Sequence, residues 1–181
     1  MGIDKMTTNT LVNLYSSPCA AMELPSPVGT LYLAASEHGL THLTCEKNRI
    51  SELASVEFKA KVKAEAVLKQ VKQQLEEYFA KKRSDFSVPL APKGTEFQHQ
   101  VWDALMNTRH GETLSYSDIA NEIGRPKAVR AVGAANGANH IAIIIPCHRI
   151  IGKSGKLTGY AYGLEMKQHL LNLENPQKQL V

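Results

Sequence analysis

The chain has 181 residues, 43% of them hydrophobic, and a formal net charge of +4. That supplies a core for one domain or two small ones and excludes a chain disordered throughout. No apolar run approaches the ~20 residues that a membrane-spanning helix needs.

The opening MGIDKMTTNT lacks the apolar segment of a secretory signal, and Met6 stands where a myristoylation signal requires Ser or Thr. Residues 1–10 are therefore expected to form a polar, flexible leader on a cytoplasmic protein. In the following stretch Leu31, Leu33 and Ala35 alternate with other residues, as do Leu43 and Cys45 after a Glu37-His38-Gly39 turn. This predicts a β-hairpin or meander with Cys45 in its core, whereas Cys19, in SSPCA, reads as a loop thiol. Residues 64–83 then place Val67, Leu68, Val71, Leu75, Tyr78 and Phe79 on one stripe of an amphipathic helix. SDFSVPLAPKG (84–94), with its two prolines, reads as a linker. The expected division is an N-terminal α/β domain over 11–92 and a C-terminal domain over 93–181.

The second half has helical periodicity. Thr95 and Gln98 form a candidate capping box, after which Phe97, Val101, Trp102 and Leu105 share a core face. A short helix is expected from Ser115, ended by Gly124, with Pro126 in the first turn of the next. Two short helices about a glycine turn make a helix-turn-helix. On the second of them Lys127 and Arg130 are three apart, and Ala128, Ala131, Gly133, Ala134 and Ala135 are small. A slim basic helix suits a nucleic-acid groove; tight packing against a neighbouring element would use small residues equally well. Between Ile123 and Leu164 no acidic residue occurs, while Arg125, Lys127, Arg130, Arg149, Lys153 and Lys156 do. This span is a candidate phosphate-binding surface or a solvated basic face.

IAIIIPCHRIIG (141–152) sets a thiol, an imidazole and a guanidinium inside a β-branched run. The run reads as a strand that Pro146 ends at Cys147. A thiol attacks as the thiolate, so a neighbouring base or cation is needed to ionise it. In the last helix Lys167, Leu170, Leu171 and Glu174 share a face, which aims Glu174 at the core. A carboxylate there requires a partner, and His148 or Arg149 can provide it. A Cys147–His148–Glu174 relay and a purely structural Glu174–Arg149 pair fit this spacing equally. The cysteines are odd in number and widely spaced, so they form no disulfide framework, and no CxxC or HxxxH pair suggests a metal.

IPCHRIIG closely resembles the active-site signature of the O6-alkylguanine-DNA alkyltransferases. VWDAL, GETLSYSDIA, GRPKAVRAVGAAN, TGYAYG and KQHLLNLE stand in that family's order and spacing. The resemblance is strong over about 85–181 and rests on layout before that. It implies an α/β (α+β) chain: a ribonuclease-H-like antiparallel sheet domain, then a mostly helical domain carrying the helix-turn-helix. It implies a protein without cofactor or metal that flips the damaged base from double-stranded DNA and takes its alkyl group irreversibly, one molecule per lesion. Cys147 would be the acceptor, His148 its base through a water, Glu174 the group orienting His148, and Asn139 the brace of the surrounding turn. Tyr116 would contact the flipped nucleotide and protonate the departing guanine, and Arg130 would fill the space the base leaves. Lys127 and Ala131 would lie on the DNA-binding surface, which docks in the minor groove. Tyr160, Ala161, Ile150 and Tyr162 would line the pocket. Tyr162 replaces a glycine of some relatives, Asn136 a larger apolar residue and His140 a proline. A monomer is expected; action on O4-alkylthymine and cooperative assembly on DNA are left open. A non-catalytic binder of alkylated DNA would lack Cys147, and a cysteine hydrolase would need an oxyanion hole.

Overall fold

The computed structural model describes residues 11, 14–50 and 52–177. The proposed leader, 1–10, lies outside these. The chain divides into two compact units that change over at Lys93 and Gly94.

The first unit is built on three antiparallel strands in the order β1 (Ala20–Leu24), β2 (Leu31–Ser36), β3 (Gly39–Thr44). Tyr32 pairs with Thr44 and Leu33 with Leu43, and the register slips by one residue between Ala34 and Ala35. Alternation along β2 sends Leu31 and Leu33 into the core, as the sequence pattern requires. Helix α1 (Phe58–Phe79) covers the sheet with Val67, Leu68, Val71, Leu75 and Tyr78, beginning six residues before the predicted stripe. Residues 84–94 are not a free linker. Phe86, Val88, Leu90 and Ala91 are buried, and the segment bonds to the hairpin through Leu40 N to Pro89 O (2.9 Å) and Ala91 N to Leu40 O (2.8 Å). Gly39 permits this approach, because a Cβ there would stand 2.6 Å from the Pro89 carbonyl oxygen. The two thiols of this unit exchange their expected places: Cys19 is buried beside β1, while Cys45 follows the end of β3 and is half-buried.

The second unit contains α2 (Glu96–Met106), β4 (Leu114–Ser115), α3 (Tyr116–Glu122), α4 (Val129–Gly137), β5 (Ile150–Ile151) and α5 (Leu164–Glu174). Capping boxes start α2, through Thr95 and Gln98, and α3, through Ser115 and Asp118. Trp102 is fully buried and donates its indole N–H to the Ala135 carbonyl (2.9 Å), tying α2 to α4. Gly124, at φ 72°, turns the chain after α3. Helix α4 begins at Val129, so Pro126 and Lys127 stand in the preceding turn rather than on the helix, and Lys127 shares no helical face with Arg130. The turn keeps Ala128 N on Arg125 O (2.9 Å). Among the described residues no helix is long and apolar enough to cross a membrane.

Candidate active site

The isoleucine run is not a strand. Residues 141–146 are all buried; after a single bridge residue at 141 the chain turns and bends over 142–145, and only Ile150 and Ile151 form a strand, pairing in parallel with Leu114 and Ser115. Ile144 N bonds Ala142 O (2.8 Å) around Ile143, whose φ is 71°. A β-branched residue pays for this conformation with ~1–3 kcal/mol of strain, which the packing around it must offset. A second three-residue turn follows at Pro146 (φ −81°, ψ 61°), closed by Cys147 N to Ile145 O at 2.8 Å. Cys147, His148 and Arg149 then make a single 3-10 turn. Local propensity favours a strand here; it yields because Asn139 supplies the backbone partners that a neighbouring strand would have supplied.

Asn139 is itself buried, just beyond α4. Its Nδ2 donates to the carbonyls of Ile145 (2.9 Å) and Ile141 (3.2 Å) and lies 3.2 Å from Cys147 Sγ, while its Oδ1 accepts from Ile141 N (2.9 Å). One amide thus fixes both ends of the turn and touches the thiol.

Behind the thiol, His148 Nε2 donates to Glu174 Oε1 (2.7 Å). Arg149 donates to the same carboxylate through Nε to Oε2 (2.9 Å) and a terminal nitrogen to Oε1 (3.1 Å), and through its other terminal nitrogen to Thr108 O (2.5 Å). The His148–Glu174 half of the relay and the structural Glu174–Arg149 pair are therefore both present and share Glu174. Burial alone would raise the Glu174 carboxyl, but hydrogen bonds and charge from His148 and Arg149 outweigh it and hold the group far below the usual carboxylate range. Burial also lowers the His148 imidazole, so this ring is neutral near pH 7. With Nε2–H committed to Glu174, the lone pair sits on Nδ1, which is buried and has no hydrogen-bond partner among the described residues. That nitrogen is an uncommitted base on the residue that follows the thiol.

Cys147 is 5% exposed. Burial pushes its thiol up, opposed by the Asn139 amide, the Lys167 charge, its own backbone N–H and the Tyr160 hydroxyl. Burial thus favours the protonated thiol at rest, and ionisation must accompany attack.

Around this centre, Tyr160 and Tyr162 are half-buried with rings edge to face at 5.6 Å, and Ala161 between them is exposed. Ile150 is fully buried and turns its carbonyl to Lys167. Tyr116 opens α3, its ring 3.9 Å from where a Gly133 Cβ would stand, so the bare backbone of α4 lies against it. Arg130 and Ala131 are exposed on α4, and Lys127 on the turn before it. Of the six cations in the acid-free span, Arg149 is buried and paired; the other five are exposed. Asn136 is buried, with its Oδ1 unpartnered among the described residues, and His140 stands edge-on to Trp102 with ring centroids 6.1 Å apart. Lys167 carries no role in the sequence reading, although its place on the α5 apolar face was legible. It is fully buried and donates to three backbone carbonyls.

A buried cysteine in contact with a buried amide, followed in the chain by an imidazole held by a carboxylate, on a unit that presents a slim helix with an exposed arginine, defines a thiol-based group-transfer protein. Residues 96–176 match the model of the 6-O-methylguanine DNA methyltransferase DNA binding domain, and residues 22–92 that of the same family's ribonuclease-like domain. The methylated-DNA–protein-cysteine methyltransferase of Methanosarcina acetivorans is 49% identical over 149 residues, covering 82% of this chain and 94% of that protein. The crystal structure of Mycobacterium tuberculosis O6-methylguanine methyltransferase superposes with a TM-score of 0.73 at 43% identity, covering 88% of this chain and 94% of that one. That of Mycobacterium tuberculosis OGT in complex with DNA gives 0.74 at 44%, covering 85% and 91%. The chain belongs to the methylated-DNA–protein-cysteine methyltransferase family.

Proposed function

We propose that this protein repairs double-stranded DNA by moving the alkyl group of O6-alkylguanine onto Cys147 Sγ. The observation that carries the reading is the contact of Asn139 with Cys147 Sγ at 3.2 Å, together with the buried His148–Glu174 pair at 2.7 Å on the residue that follows the cysteine. His148 Nδ1 takes the thiol proton, through a water, as the sulfur attacks the sp³ carbon in line. The S–C bond forms as the C–O6 bond breaks. Tyr116 gives a proton to the departing guanine and is restored from the imidazolium, so the thiol proton ends on the base. The thioether is stable, and each molecule acts once. No cofactor enters this balance.

The base leaves the stack to reach a buried thiol, at a cost of a few kcal/mol. Arg130, exposed on α4, fills the gap, and the small residues of α4 let its backbone approach the minor groove, where readout is degenerate. Ala131 and Lys127 contribute to that surface, Lys127 as a phosphate contact from the turn. Tyr160, Ala161 and Tyr162 form the wall of the base pocket, with Ile150 packed behind it, and the Tyr162 ring limits large O6 substituents. The protein works as a cytoplasmic monomer that takes O6-alkylguanine as its lesion. In a single-turnover assay with duplex DNA carrying labelled O6-methylguanine, label should move to protein and saturate at one methyl per molecule. Tight binding without transfer would instead mark a damage-recognition protein, and continued turnover would contradict the suicide reaction.

A further inference from the structure

We infer that Asp118 is a positioning residue for Tyr116: the capping box that it closes with Ser115 holds the tyrosine in register with the turn of Cys147. The inference rests on the reading in which Tyr116 protonates the departing guanine.

No polar partner ties down the Tyr116 side chain. Its hydroxyl makes no hydrogen bond among the described residues, and its half-buried ring lies on the bare backbone of α4 at Gly133. Its place is therefore set by its main chain, which is held from both sides. Before it, Leu114 and Ser115 pair in parallel with Ile150 and Ile151, which directly follow the Cys147–Arg149 turn. This short ribbon ties the segment of Tyr116 to the segment of the thiol. After it stands Asp118. Its Oδ2 accepts from Ser115 N (2.7 Å) and from Ser115 Oγ (2.8 Å), while Ser115 Oγ accepts from Asp118 N (3.1 Å).

Three hydrogen bonds thus close over Tyr116 and Ser117 and bind the last residue of β4 to the first turn of α3. Tyr116 is the first residue of that helix, where backbone N–H groups lack intrahelical acceptors and the chain frays first. A helix of seven residues does not hold its own first turn in water. The backbone N–H and hydroxyl of Ser115 keep the Asp118 carboxyl below its usual range, so the acceptor is a carboxylate at neutral pH. Asp118 is exposed, so its bonds add little to the core. What they fix is local: the angle at which the chain leaves β4 and enters α3, and with it the direction of the Tyr116 Cα–Cβ bond. The box that starts α2, Thr95 with Gln98, follows a segment in no strand and has only a helix to begin. At α3 the cap residue is also a strand residue, so the box joins helix to ribbon.

The test is a double-mutant cycle read in two reactions. One is repair of O6-methylguanine in duplex DNA, which uses Tyr116. The other is alkylation of Cys147 by iodoacetamide, which needs neither DNA nor a proton donor. D118A should slow repair roughly fivefold, the factor by which losing a cap weakens a local equilibrium. Its iodoacetamide rate should match the wild type, and its affinity for undamaged duplex should not fall. S115A, which opens the box from the other side, should slow repair in the same way. D118E restores a carboxylate at the same place in the box and should recover most of the rate. In Y116A, which has no side chain left to place, adding D118A should slow repair no further. Equal slowing by D118A in the wild type and in Y116A would show that the box only starts a helix, and would overturn the proposal. So would iodoacetamide alkylation slowed as much as repair. Repair by Y116A at the wild-type rate would remove the proton-donor reading and this proposal with it. A slow Y116A beside a D118A of wild-type rate would overturn the positioning role alone.

Discussion

The two units bury different kinds of polar group. In the sheet unit the buried polar residues are neutral: Ser36, Thr41, Thr44 and Gln74. In the helical unit they include His148, Arg149, Lys167 and Glu174, with Asn139 and Asn136 beside them. A core needs no charges for stability, and burying them is costly unless each is paired. Their concentration around one cysteine, in one unit, separates a scaffold from a reaction centre. A substitution in the first unit should change how much protein is folded; one in the second should change what the folded protein does.

The largest effect should come from Cys147→Ser, which removes the soft nucleophile: methyl transfer is abolished while binding to alkylated duplex persists, measured by label transfer and by gel shift. Loss of binding as well would mean that the thiol also shapes the DNA surface. Glu174→Gln comes next. It strands the buried Arg149 charge, which should cost ~3–5 kcal/mol by denaturant unfolding, and it frees the His148 tautomer, which should slow transfer at least as strongly as the loss of folded protein explains.

The same glutamate gives the comparison a pH dependence. Its folded-state pKa is depressed, so its stabilisation is present above the ordinary glutamate value of 4.5 and is lost as pH falls below it. His148, also depressed, adds a loss that begins below its ordinary 6.5, since the unfolded chain takes the proton first. The loss below pH 6.5 should persist in Glu174→Gln, which keeps His148, whereas below about pH 4.5 the wild type should lose stability more steeply than the variant; parallel curves below pH 4.5 would show that the Glu174 carboxylate is not an acid-sensitive element.

Asn139→Ala removes both backbone partners of the 141–145 turn and the contact to sulfur. A loss of ~1–3 kcal/mol for each stranded group is expected, with transfer slowed beyond what unfolding accounts for. Arg130→Ala, on the exposed face of α4, should leave stability within ~0.5 kcal/mol and slow repair in duplex DNA more than reaction with free O6-benzylguanine. Equal slowing would remove Arg130 from the base-flipping step. The smallest catalytic effect is expected from Leu33→Ala in the sheet core: ~2–5 kcal/mol of stability and an unchanged rate per folded molecule. A changed rate there would blur the division of labour.

Much of this is readable in the sequence. Both ends of α3 declare themselves through Ser115 and Gly124, the start of α2 through Thr95 and Gln98, and the inward face of α5 through the spacing of Lys167, Leu170, Leu171 and Glu174. Local bonding and periodicity decide these features. What escaped depends on contacts distant in sequence. Ile141–Ile145 has the composition of a strand, but the Asn139 amide substitutes for a neighbouring strand and the chain coils instead. Residues 84–94 have a linker's prolines, yet Leu90 finds the edge of the hairpin. Lys127 sits three before Arg130, but α4 starts after it. Lys167 was visible on its face and its purpose was not, because its partners are carbonyls that carry no sequence signal.

The most direct measurement is a peptide map of the protein after reaction with duplex DNA containing O6-methylguanine. One methyl should be found, on the peptide carrying Cys147, with Cys19 and Cys45 unmodified. A methyl on either of those thiols, or an unmodified Cys147 in DNA that has been repaired, would contradict the assignment of the buried cluster as the acceptor site.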